Sequence, residues 1–170
     1  MARHAIDNND NIIDSRDVIK RYNDLKDEKD DLVLAVANWH EEHDEEHDEL
    51  LNTQVPLTEE EDDRRNVLTD ELATLQEALD DWEDDNADEL KVLEKLNEEG
   101  ESNTSEWVHG VTMIRESHWK EYAQELAEDI GDMPKDLPNW IVIDWEATAD
   151  NLKADYSEVD YDGVTYLVRD

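Results

Sequence analysis

The chain has 170 residues, with 51 Asp and Glu against 15 Lys and Arg, a formal net charge of −36. It contains no cysteine, which excludes disulfides, thiolate metal sites and thiol nucleophiles. No apolar run approaches the ~20 residues of a membrane span, and residues 1–11 lack the apolar stretch of a signal peptide. A cytoplasmic protein is expected, with no membrane or direct nucleic-acid binding, because both surfaces are anionic and would repel it.

The expected fold is mainly α: a long antiparallel two-helix coiled-coil hairpin, then a small α+β domain with a C-terminal β-hairpin. Residues 1–13 read as a flexible N-terminal arm. Asp14 or Ser15 caps a first helix, in which Val18, Tyr22, Leu25, Leu32, Val36, Trp39 and Leu50 keep a 3-4 apolar spacing. Lys29, His43 and Glu46 interrupt that seam. Pro56 breaks the chain, and Thr58 with Glu61 fits a capping box that opens a second helix. Its seam runs Leu68, Leu72, Leu75, Leu79, Trp82, Asn86, Leu93 and Leu96, with Gly100 as the expected stop. The hairpin is therefore placed at residues 14–100, with Lys29 reaching Asp80 or Glu83 across the pair.

Residues 101–106 read as a polar linker, and residues 107–170 as the small domain. This last segment holds four of the six Trp and four of the five Tyr. A helix is expected over 116–130, a loop over 133–139, and a helix over 145–156 capped by Asp144. Strands at 158–161 and 164–168 flank Asp162-Gly163, a strong hairpin signal. Trp140, Trp145, Tyr156, Tyr161 and Tyr166 are expected core residues.

Acid is clustered as well as abundant. Residues 41–49 carry seven acids and no base, and residues 77–89 carry eight acids and no base. Carboxylates three or four apart on a helix lie about 5–6 Å from one another. Adjacent phosphates of a DNA strand lie on the order of 6–7 Å apart. Glu41, Glu42, Glu45, Asp48 and Glu49, with Asp80, Asp81, Asp84, Asp85 and Asp88, are therefore the candidate phosphate-mimicking, partner-binding residues. One exposed ion pair contributes only ~0–1 kcal/mol, so affinity must come from many.

Catalytic chemistry finds little support. His43-Asp-Glu-Glu-His47 has the i, i+4 spacing of zinc-binding histidines, but the hairpin supplies no third ligand or cleft, so no metal site is expected. The Asp-rich runs lack calcium-loop spacing. There is no Gly-rich phosphate loop, and Ser117 and His118 lack a nucleophile-elbow context. A non-enzyme with no catalytic residues and no cofactor is expected.

Four stretches of the last third carry a resemblance: 122–131 (Tyr-Ala-Gln-Glu-Leu-Ala-Glu-Asp-Ile-Gly), 143–147 (Ile-Asp-Trp-Glu-Ala), 155–157 and 159–166. In order and spacing they resemble the C-terminal region of ArdA-type antirestriction proteins, over about residues 119–169. Residues 1–106 do not share the resemblance. The family implies a phage- or mobile-element-encoded DNA mimic that blocks type I restriction–modification enzymes, with no catalytic residues. It also implies a homodimer as one option, and the host cytoplasm as the place of action.

The functional expectation is an acidic inhibitor of a host defence system. It competes for the basic DNA-binding groove of a type I restriction–modification enzyme, with a CRISPR effector or another DNA-binding defence complex as further candidates. The alternative is a structural or scaffold coiled-coil protein whose acidity is halophilic adaptation.

Overall fold

The computed structural model describes residues 6–130, 138 and 140–169. The protein is mainly helical, with two long helices, α1 (Ser15–Asn52) and α2 (Glu59–Asn103), and two short ones, α3 (Trp119–Asp129) and α4 (Trp145–Leu152). Among the described residues four strands accompany them: β1 (Ile12–Asp14), β2 (Thr112–Arg115), β3 (Tyr156–Tyr161) and β4 (Val164–Arg169). Two compact units result, one of residues 23–90 and one of residues 1–22 with 91–170. The units meet between residues 22 and 23 and between 90 and 91. Both divisions fall inside long helices, and α2 runs on to Asn103.

The unit of residues 23–90 holds most of α1 and α2. Leu25, Trp39, Leu68 and Trp82 are buried in it. Leu32, Val36, His43, Leu50, Leu72, Leu75, Leu79 and Asn86 are half-buried. The polar contacts between the helices pair early α1 with later α2 and late α1 with early α2. Lys29 Nζ lies 2.8 Å from Glu83 and 5.8 Å from the Trp82 ring centre. Trp82 Nε1 donates to Glu28 at 3.3 Å, and Arg64 grips Glu46 with two bonds of 2.9 Å. The two segments thus run antiparallel. At the start of α2 the capping box is closed in both directions. Glu61 N donates to Thr58 Oγ1 at 3.3 Å, and Thr58 N donates to Glu61 Oε2 at 2.8 Å. These bonds satisfy amide groups that a helix start leaves without partners.

The other unit is built on an antiparallel sheet of order β1-β2-β4-β3. Alternation along the strands gives it two buried faces. On one, Ile114 and Leu167 pack with Trp119 and Ala123 of α3, Ala149 of α4, and the half-buried Tyr122, Leu152 and Tyr156. Trp119 Nε1 donates to the Ala149 carbonyl at 2.8 Å, tying α3 to α4. On the other face, Ile13, Met113, Val159, Tyr161, Tyr166 and Val168 are buried. The outer edge of β3 is capped by α2, since Glu99 accepts from Asp160 N at 3.1 Å and Asn103 Nδ2 donates to the Glu158 carbonyl at 3.0 Å. Capping of this kind blunts the pairing tendency of an edge strand.

Several expectations need correction here. Residues 12 and 13, placed in the N-terminal arm, enter β1, because Ile13 fills the buried face beside Met113. Residues 8 and 10 are held too. The Tyr166 hydroxyl, pushed up to about 12 by burial, bonds the Asn8 and Asp10 carbonyls at 3.1 and 2.6 Å. Gly100 does not end α2. It lies inside the helix, where the indole of Trp107 occupies the space a Cβ would need. Tyr156 opens β3 rather than closing a helix, since α4 ends at Leu152 and a 3-10 turn covers 153–155.

Trp140 is 81% exposed, and the buried indoles of this unit are Trp107 and Trp119. The expected loop at 133–139 lies outside the described residues apart from 138. The Asp144 cap holds, with Ala147 N donating to its Oδ1 at 3.1 Å. So does the Asp162-Gly163 turn, with φ of 49° and 78°.

Candidate functional site

The chemistry of the candidate surface is the carboxylate. The unit of residues 23–90 contains 27 acidic and 4 basic residues, a net −23 of the chain's −36. Three of its four bases are already in ion pairs: Lys29 with Glu83, Arg64 with Glu46 and Arg65 with Asp62.

All ten candidate residues belong to this unit, and all ten are exposed. Helical phase relates them to the buried indoles. Glu41, Glu45 and Asp48 lie on the side of α1 opposite Trp39, with Glu42 and Glu49 on its flank. Asp80, Asp84 and Asp88 lie on the side of α2 opposite Trp82, with Asp81 and Asp85 beside them. Each cluster therefore faces away from the partner helix. Among the described residues, nine of the ten have no ion-pair partner. Glu42 lies 3.8 Å from His43.

The same phase adds residues that the sequence-based choice passed over. Glu59, Asp63, Asp70 and Glu77 of α2 are exposed and continue the row of Asp80, Asp84 and Asp88. The signal was in the sequence: counting back from Asp80 in steps of three and four reaches Glu77, Asp70, Asp63 and Glu59.

The histidines between the acids have structural partners. The rings of His40, His43 and His47 meet Trp39 edge-on at centroid distances of 5.3, 5.5 and 5.3 Å. His47 Nε2 lies 3.1 Å from Thr69 Oγ1, and His40 Nδ1 lies 2.7 Å from Asp44. Among the described residues no group of three or more His, Cys, Asp or Glu could hold a metal ion. None of their helices is long and apolar enough to cross a membrane.

Glu46 stands apart from its neighbours. The Arg64 guanidinium bonded to it holds its carboxyl below the usual glutamate range. A carboxylate with a depressed folded pKa stabilises the fold above its unfolded value, and that contribution fades as pH falls through the folded value. Glu46→Gln is thus expected to lower the melting temperature slightly at pH 6–7. The gap from wild type should close as pH falls well below the ordinary 4.5. Thermal melts of both proteins across that range check this.

Comparison with protein-family models, with curated proteins and with solved structures finds no match for the chain.

Proposed function

We propose that the protein is a non-enzymatic DNA mimic that inhibits a host defence complex by occupying its DNA-binding groove. One observation carries the reading: ten exposed carboxylates, nine of them without a cation partner among the described residues, stand in base-free runs on the outward sides of two antiparallel helices. At 1.5 Å per residue the two clusters are ~25 Å apart along the helices. With helix diameters of 10–12 Å and axes 8–10 Å apart, the outward rows are separated by ~20 Å across the pair. Read as a coiled-coil hairpin, residues 14–100 would hold these intervals stiffly. Lys and Arg side chains placed to grip two phosphate strands could then engage both rows.

The resemblance of residues 119–169 to ArdA-type proteins favours a type I restriction–modification enzyme as the target. A CRISPR effector or another DNA-binding defence complex presents the same kind of groove. The competing reading, a halophilic scaffold, accounts for abundant acid but not for the loss of bases from two particular runs.

The test is equilibrium competition on a purified type I enzyme with labelled duplex. The protein should raise the apparent Kd for duplex without lowering maximal binding, and should not bind duplex itself. A protein that inhibits while the duplex stays bound would overturn the competitive mechanism. One that displaces duplex neither from this enzyme nor from a CRISPR effector would overturn the functional reading.

A further inference from the structure

The outward row of α1 is interrupted. Residues 32–40 carry no Asp, Glu, Lys or Arg, between Asp31 and Glu41. Leu32, Val36 and Trp39 of this run belong to the inner seam, but Val33 and Leu34 do not. They are 45% and 56% exposed, and Ala37 beside them is exposed too. Helical phase puts Leu34 and Ala37 in line with Asp27, Asp30, Glu41, Glu45 and Asp48. The outer face of α1 thus reads acid, apolar, acid. Its two acidic blocks are centred roughly 20–25 Å apart by helix rise.

We infer that Val33, Leu34 and Ala37 form an apolar anchor for the protein partner, seated between two blocks of Lys and Arg on that partner. This rests on the proposed function and adds what the carboxylates alone lack. Exposed ion pairs are weak individually and fade with salt. A small apolar centre ringed by charge, desolvated on docking, is the usual source of binding energy in a protein interface. A phosphate backbone carries no such side chains, so the anchor gives the mimic an advantage over duplex that salt does not remove.

Charge decides against a second copy of the chain as the occupant. An antiparallel α1–α1 crossing at Leu34 sets Asp27 against Glu41, and a parallel one sets each acid against itself. Either arrangement brings carboxylate onto carboxylate, whereas a basic partner is attracted on both sides of the window.

The test uses the full-length protein, purified type I restriction–modification enzyme, and a binding titration at several salt concentrations. Val33→Gln/Leu34→Gln removes apolar surface at exposed positions and keeps good helix formers. This variant should bind about 30-fold more weakly at every salt concentration, with the salt slope unchanged. Reversing Glu41, Glu42, Glu45 and Glu49 should instead flatten the slope.

If the Gln variant binds like wild type while the reversal variant is weakened, the anchor is overturned and the functional reading stands. Wild-type behaviour of both variants overturns both, as does a wild-type chain that binds neither this enzyme nor a CRISPR effector titrated in the same way. Sedimentation supplies a further check. A wild-type dimer that the Gln variant converts to monomer would overturn the anchor, because a second copy would then cover the window.

Discussion

Replacing Glu41, Glu42, Glu45 and Glu49 together by Lys is expected to abolish inhibition, whereas each single replacement should change it by no more than about five-fold. The asymmetry follows from the magnitudes. One exposed pair contributes ~0–1 kcal/mol, so losing one leaves the rest of the surface working. Four reversals delete four attractions and add four repulsions in one stretch of groove, a combined loss on the order of a thousand-fold or more. All four side chains are exposed, so the helix should survive, and circular dichroism of the variant checks that it does. The matching set Asp80, Asp81, Asp84 and Asp88 should give a separate loss, because it lies on α2 and faces the other way. A fourfold variant that stays folded and inhibits like wild type would remove the clusters from the mechanism.

A large effect on stability is expected at a residue with no side chain. Glycine inside a helix is ordinarily a weakness that alanine repairs by about 1 kcal/mol. Gly100→Ala should do the reverse and destabilise by about 2–4 kcal/mol, because the added Cβ would collide with the Trp107 indole. That indole is fully buried, and its Nε1 donates to Asn97 Oδ1 at 3.0 Å. The Trp107 carbonyl in turn accepts from the buried Ser15 hydroxyl at 2.7 Å, so the ring has little freedom to retreat.

Trp107→Ala alone should cost about 3–5 kcal/mol. In that background Gly100→Ala should become neutral or stabilising, since the obstacle is gone and only helix propensity remains. Chemical denaturation of the four proteins in this cycle measures the coupling. Additive losses would show that the indole is not what requires glycine.

Features set by neighbours in the chain were legible from the amino acids. Thr58 with Glu61, the Asp144 cap and the Asp162-Gly163 turn each need only three or four consecutive residues. The Lys29–Glu83 pair was legible because two helices joined by a short break can face each other in few ways. Features set at a distance were not. β1 and β2 are three and four residues long, too short to show alternation, and they exist through pairing between residues about a hundred positions apart. Gly100 resembled a helix stop because nothing local announces that Trp107 will lie across it. The acid clusters could be read as runs, but their outward direction became clear only once Trp39 and Trp82 were known to be buried. Val33 and Leu34 already fell outside the 3-4 seam of Leu32 and Val36, but nothing in the spacing showed that they stay exposed rather than covered.

If carboxylates at helical intervals take the place of phosphates, as we propose, salt dependence reads this most directly. Binding of the wild-type protein to a purified type I restriction–modification enzyme should weaken steeply as salt rises from about 50 to 200 mM, with log affinity falling linearly in log salt as duplex binding does. An affinity that holds steady across that range, or rises with salt as a halophilic scaffold's would, contradicts it.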